Sequence, residues 1–198
     1  AIQKVEDESL NLPNKLTVLR IVLTPVFLIL FTVESIPYHY ILALAVFAIA
    51  SITDLLDGKI ARKYNIVTTF GKLTDPLADK MLTTAALLGF MLIGCCNIWI
   101  LFIVLFREFG ISSIRLVAAA DGVVIPANIW GKVKTTCQMV STILIMLLLS
   151  LQQDFGILDL QFPVALISNV LLWITAALTV VSGVTYVIAG SKVIDFSK

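Results

Sequence analysis

Six stretches of this chain are long and apolar enough to cross a lipid bilayer, and little of the chain is left over. They run roughly over residues 15–34, 39–63, 72–94, 98–118, 130–152 and 163–189. A bilayer core of about 30 Å needs about 20 mostly apolar residues in helical form. Charged residues make up only 14% of the chain against 59% hydrophobic, too few to cover a surface facing water. The expectation is an all-α integral membrane protein with six transmembrane helices. The connectors are short and carry turn residues, among them Glu34-Ser35-Ile36-Pro37, Gly94-Cys95-Cys96-Asn97 and Asp154-Phe155-Gly156. None is long enough to separate two domains, so residues 1–198 read as a single membrane domain with a six-helix body over 15–190.

Ahead of that body, residues 1–9 are polar and acidic, and they lack the basic start and apolar core of a signal peptide. Leu10-Asn11-Leu12-Pro13-Asn14 reads as a short N-terminal interfacial helix within segment 1–14, with Pro13 in its first turn and Asn11 as its cap. Cys95, Cys96 and Cys137 form no CxxC pair, and the chain has one histidine, His39. The cysteines therefore read as small apolar residues.

The basic residues are segregated. In a six-span arrangement all 14 Lys and Arg fall on the side of the N-terminus, and the loops near 35–38, 94–97 and 153–162 contain none. By the positive-inside rule both termini are cytoplasmic. One helix more or fewer would scramble that segregation.

Against the apolar background four aspartates stand out. Asp54 and Asp57 are spaced i, i+3, and Asp75 and Asp79 i, i+4, so each pair shares a helical face. Gly58 and Ala61 lie on the first face and Gly71 on the second, which leaves each acidic face recessed. At about 1.5 Å per residue, Asp54 and Asp79 both come out roughly 22 Å from the outer surface, just inside the cytoplasmic edge. Ionisable groups at that depth are costly and usually functional. Four carboxylates together would repel, and two divalent cations would neutralise them. Hard oxygen donors suit Mg2+ or Mn2+. The competing reading is that an aspartate there only pairs with a nearby lysine, Lys59, Lys72 or Lys80.

The pattern Asp54-x-x-Asp57-Gly58-x-x-Ala61-Arg62, eight residues, then Gly71-x-x-x-Asp75-x-x-x-Asp79 resembles the signature of the CDP-alcohol phosphotransferases, with every signature position present. Asn11 to Arg20, Thr74 to Lys80, Phe106-Arg107-Glu108 with Arg115, and Gly131 to Met139 resemble the bacterial branch of that family that makes phosphatidylglycerophosphate. The resemblance covers roughly residues 11–150. The last span matches only as a hydrophobic helix, and Cys137 stands where alanine is usual.

The resemblance implies a reaction. A phosphatidyl group moves from CDP-diacylglycerol to sn-glycerol 3-phosphate by direct displacement, giving phosphatidylglycerophosphate and CMP. It implies two divalent cations, Mg2+ or Mn2+, on Asp54, Asp57 and Asp75. Asp79 becomes the fourth carboxylate of the metal site and the general base for the attacking hydroxyl. It implies a CDP-diacylglycerol pocket of Thr17, Arg20, Asp57, Gly58, Ala61, Arg62, Thr68 and Gly71. It also implies a bacterial plasma membrane, an active site on the cytoplasmic side and a homodimer. Nucleic acid is not an expected partner.

A phosphorylated acceptor calls for basic residues, and Arg107, Arg115, Lys132 and Lys134 are the candidates. Arg107 lies well within its span, where an unpaired arginine is costly. It has two readings, as an acceptor-phosphate ligand or as the ion-pair partner of Glu108. Lys132 and Lys134 diverge by about 200° on a helix, so only one is expected to point inward. Two alternatives remain open. One is a different acceptor: inositol phosphate, serine or phosphatidylglycerol. The other is a divalent-cation transporter, which would need acidic residues along a path to the outer face, where the loops offer only Glu34, Asp154 and Asp159.

Overall fold

Hydropathy decides which segments become helices here, and side-chain size decides how they pack. The computed structural model describes residues 12–64, 69–120 and 128–191. They form α1 (Leu12–Thr32), α2 (His39–Tyr64), α3 (Thr69–Leu92), α4 (Ile98–Ala120), α5 (Ile129–Leu149) and α6 (Val164–Ser191). A π-helical turn, Ser150–Asp154, continues α5. No strand occurs among the described residues.

Among the described residues, three stretches are long and apolar enough to cross a membrane by length and composition: Asn14–Thr32, Ile129–Asp154 and Val164–Gly190. α2 and α3 hold the shorter apolar stretches His39–Asp54 and Lys80–Leu92, because their other ends carry Asp57 to Lys63 and Lys72 to Asp79. α4 is as long as the spanning helices but is interrupted by Arg107, Glu108 and Arg115. The residues that shorten the apolar runs are thus the residues singled out for function. Large apolar side chains lie open on the surface, with Leu116 74% and Phe106 71% exposed, as lipid rather than water would favour.

Of the interfacial segment expected near residues 10–14, the described part, Leu12 to Asn14, forms the start of α1. The described chain enters α1 at Leu12, with Pro13 in its first turn, where a missing N–H removes no helical bond. Asn11 and the residues before it lie outside the described residues.

The chain divides into two compact units: Ala1–Gly89 with Leu149–Leu160, and Phe90–Leu148 with Gln161–Lys198. In the first, α1 packs on α2. The buried residues of α1 include Thr17, Arg20, Thr24, Phe27 and Phe31, and those of α2 include Tyr40, Ala43, Phe47 and Ala50. Their alternating spacing of three and four is a heptad seam, the pattern of a left-handed helix pair. Phe31 meets Tyr40 edge-on with ring centroids 5.2 Å apart, and Phe27 meets Phe47 at 5.8 Å. One number rises as the other falls, so the two helices are antiparallel. Continued along the seam, that register brings Arg20 to Asp54.

The π turn closes back on α2. The Asp154 carboxylate accepts the backbone N–H of Ile41 at 2.7 Å and of Tyr40 at 3.4 Å. These are orphan amides at a helix N-terminus, where negative charge is favourable.

In the second unit α4 packs on α6. Arg107 meets Ser182 and Arg115 meets Tyr186, so these two helices run parallel. The buried face of α6 carries Ser168, Leu172, Thr175, Thr179, Ser182 and Tyr186, again at heptad spacing but mostly polar. α5 joins it through a hydrogen bond between the Ser141 and Thr175 hydroxyls at 3.4 Å. Cys95 and Cys96 are free and buried and Cys137 is free and half-buried, in line with their reading as small apolar residues.

Candidate active site

The helix pair α1 and α2 determines where the first aspartate sits. Asp54 is 39% exposed and its Oδ1 lies 2.7 Å from Nη1 of Arg20, which is 1% exposed. Two candidates that the motifs assigned to different tasks, metal binding and nucleotide binding, are therefore in direct contact. Asp54 pairs with an arginine of α1; the side chains of Lys59 and Lys72 lie outside the described residues. Thr17, one turn earlier on the same seam, is fully buried.

The backbone at the other acidic positions is helical. Asp57, Gly58, Ala61 and Arg62 lie on α2, and Gly71, Asp75 and Asp79 on α3, so each aspartate pair is one turn apart as the spacing implied. The side chains of these seven residues, and Thr68 with its loop, lie outside the described residues. Among the described residues no three His, Cys, Asp or Glu side chains converge.

The basic candidates are better resolved. Arg107 donates from Nη1 to Glu108 Oε1 at 2.9 Å and from Nη2 to the Ser182 hydroxyl at 2.6 Å. Lys134 donates from Nζ to the same Glu108 Oε1 at 2.8 Å. The pairing of Arg107 with Glu108 is therefore real, but the carboxylate is shared between two cations. The helix geometry also sorts the lysines: Lys134 is 3% exposed while Lys132 is exposed. Space for the Arg107 side chain comes from two glycines. A Cβ on Gly183 would stand 3.3 Å from its Cγ, and one on Gly131 would stand 3.6 Å from its Nη2. Arg115 is exposed, donates from Nε to the Tyr186 hydroxyl at 2.8 Å and lies 5.3 Å from that ring's centroid.

Motif reading missed the contribution of α6. Ser182 and Tyr186 each hold one of the α4 arginines, yet they sit in the span that looked merely hydrophobic. The legible signal was there: Thr175, Thr179, Ser182 and Tyr186 repeat at four, three and four in an apolar helix, which is a buried polar seam rather than scattered hydroxyls. Glu108 was seen only as a possible partner of Arg107, not as the bridge to Lys134.

The model of the CDP-alcohol phosphatidyltransferase family matches residues 10–181. The chain belongs to this family. The match reaches well into α6, further than the motifs alone extended. A relative from Bacillus subtilis (strain 168), named CDP-diacylglycerol–glycerol-3-phosphate 3-phosphatidyltransferase, is 40% identical over 89% of this chain and 93% of its own length. One of the same name from Rickettsia bellii (strain RML369-C) is 38% identical over 92% of this chain and 96% of its own. A probable phosphatidylglycerophosphate synthase from Mycobacterium tuberculosis (strain ATCC 25618 / H37Rv) is 40% identical over 89% of this chain and 80% of its own.

Proposed function

We propose that this membrane protein transfers the phosphatidyl group of CDP-diacylglycerol to sn-glycerol 3-phosphate, giving phosphatidylglycerophosphate and CMP. The observation that carries this is 40% identity over nine-tenths of the chain to a relative named for that reaction. The geometry around Glu108 supports the choice of acceptor. Among the described residues Arg107 and Lys134 share the Glu108 carboxylate, which gathers two cations in surroundings where charge is costly. A phosphorylated acceptor would bring negative charge to these cations, whereas serine would bring no phosphate. Arg115 and the exposed Lys132 add positive charge near the same helix ends.

Asp54, Asp57 and Asp75 would hold two Mg2+ or Mn2+, with Asp79 at the edge of the site. The donor set fits such ions: carboxylates only, one helical turn apart, with Asp54 reachable from solvent. When bound, the ions would offset charge on the pyrophosphate and on the departing CMP. The protein's own part is to orient and to move a proton. Arg20 holds Asp54 in place, and Asp79 accepts the proton of the attacking hydroxyl. Thr17, Gly58, Ala61, Arg62, Thr68 and Gly71 complete the CDP pocket.

Six spans, with both termini and the active site cytoplasmic in a bacterial plasma membrane and the chain paired as a homodimer, belong to the same reading. Contacts within each unit support the six-span order. Asp154 reaches the start of α2, and Asn169 donates to the Gly94 carbonyl at 3.2 Å. Each contact joins residues assigned to the same, outer side. A cation transporter is disfavoured, because the outer part of the chain offers no acidic path.

The test is an acceptor panel with CDP-diacylglycerol and Mg2+ or Mn2+. Radiolabelled glycerol 3-phosphate should enter lipid with release of CMP. Turnover with inositol phosphate, serine or phosphatidylglycerol but not with glycerol 3-phosphate would remove the acceptor assignment. Asp79→Asn should end turnover while CDP-diacylglycerol still binds, and wild-type turnover in that variant would remove Asp79 as the base.

A further inference from the structure

Several hydroxyls of the apolar helix α6 bond to their own backbone. Thr175 donates to the Leu171 carbonyl at 3.1 Å, Thr179 to that of Thr175 at 2.7 Å and Thr185 to that of Val181 at 3.0 Å. Back-bonding of this kind satisfies a hydroxyl without help from another helix. Ser182 serves a different partner. It is 1% exposed, and its hydroxyl oxygen accepts from Nη2 of Arg107, on α4, at 2.6 Å. Glu108 takes Nη1 of the same guanidinium at 2.9 Å. A planar fork held at both Nη atoms has its plane fixed, and Gly183 and Gly131 leave the room in which it lies. One corner stays open. Nε of Arg107 is buried and has no hydrogen-bond partner among the described residues. Such a donor is costly, and rare unless something else satisfies it. An arginine fixed at two corners and unsatisfied at the third suits an anion with several acceptor oxygens.

We propose that Ser182 is a positioning residue for the acceptor: its hydroxyl fixes the Arg107 guanidinium, and the fixed guanidinium receives the phosphate of glycerol 3-phosphate. This rests on the reading of Arg107 as an acceptor-phosphate ligand. Ser182 acts through Arg107 rather than on the substrate. A hydroxyl suits that task, because it accepts a hydrogen bond without neutralising the arginine. A second carboxylate in its place would offset the charge that the phosphate needs. Tyr186 does not carry the same weight. Arg115, which it holds, is exposed, so water can stand in for a lost bond. Arg107 is 14% exposed and has little water to turn to.

The test is a double-mutant cycle on the full chain in detergent, with CDP-diacylglycerol, glycerol 3-phosphate and Mg2+. Ser182→Ala should raise KM for glycerol 3-phosphate about tenfold, the scale of one good hydrogen bond to a charged group. KM for CDP-diacylglycerol and kcat at saturating acceptor should stay near wild type, a split that general loosening of the fold would not give. Ser182→Cys, nearly the same size with a weaker acceptor, serves if the alanine variant does not fold. Arg107→Lys keeps the charge but loses the fork, and it should raise the acceptor KM by itself. In that background Ser182→Ala should add little, because the atom it orients is gone. A folded Ser182→Ala with wild-type acceptor KM overturns the proposal, even if its thermal midpoint is lowered. So does a full tenfold effect repeated in the Arg107→Lys background. An unchanged acceptor KM in Arg107→Lys itself would overturn the phosphate site on which the proposal rests.

Discussion

The Arg20 guanidinium lies 2.7 Å from the Asp54 carboxylate, and the two differ sharply in exposure, 1% against 39%. That asymmetry sets the energetics of the pair. Asp54→Ala removes one hydrogen-bonded carboxylate from a cation that stays buried, at an expected cost of about 2 kcal/mol. Arg20→Leu leaves a carboxylate that solvent can reach, at about 1 kcal/mol. Thermal unfolding in detergent should therefore place Asp54→Ala below Arg20→Leu, and the opposite order would reject this account. Both should lose turnover, because each disturbs the orientation of a proposed metal ligand.

Glu108 bridges Arg107 and Lys134. Glu108→Gln leaves two largely buried cations without their shared carboxylate, with an expected loss of about 3 kcal/mol. Anions should restore part of it. Inorganic phosphate at 100 times its dissociation constant would return about 2.7 kcal/mol by mass action. A melting series in phosphate should therefore raise the midpoint of Glu108→Gln more than that of wild type. Equal shifts would mean that the cluster does not receive anions.

Asp154 ties the π turn to the first amides of α2. Asp154→Ala should cost about 1–2 kcal/mol, the range of a lost helix cap. Asp154→Asn keeps an acceptor oxygen but loses the charge that favours a helix N-terminus, so it should recover part of the loss. Midpoints in the order wild type, Asn, Ala are expected. An alanine variant as stable as wild type would show that the contact contributes nothing.

How far these features could be read from the chain depends on the physics behind each. Helix positions were legible because the energy of apolar residues in lipid is large and one-dimensional, and every boundary fell within a few residues. The aspartate spacing was legible because helical geometry carries it without tertiary information. The Arg20 contact was not, since in a uniformly apolar helix nothing in hydropathy marks which face is buried. Only the small residues Ala43 and Ala50 and the rings between them mark it. Asp154 was read as an outer-loop charge for a similar reason, because its partners are backbone amides far away in sequence.

The Cys96 thiol gives a pH-dependent test. It sits in the connector after α3, and burial, with Cys95 beside it, pushes it from the ordinary 9.0 up to about 11. Burial raises Cys95 as well. A raised acid favours its neutral form in the folded state. Its contribution to stability is therefore complete below about pH 9 and is lost as pH rises towards 11. At pH 8 both thiols should resist iodoacetamide in the folded protein and react once it is unfolded. Rapid labelling of either in the folded protein would contradict the burial.

Gly89 and Gly110 form a matched pair of helical glycines. A Cβ on Gly89 would stand 2.8 Å from Cδ1 of Phe31, whereas nothing lies within 4 Å of one on Gly110. Alanine gains about 1 kcal/mol over glycine in a helix interior. At Gly110 that gain should appear undiminished, and Gly110→Ala should be neutral or stabilising. At Gly89 it opposes an overpacking cost of about 1–3 kcal/mol. Phe31 is 1% exposed and packed between Phe27 and Tyr40, so its ring has nowhere to retreat and the clash should win. Gly89→Ala is therefore expected to unfold at a lower temperature than wild type and Gly110→Ala at the same or a higher one. Because Phe31 belongs to the seam that sets the α1–α2 register, Gly89→Ala should also reduce turnover through Arg20 and Asp54. A destabilised variant with full activity would separate the aromatic seam from the site.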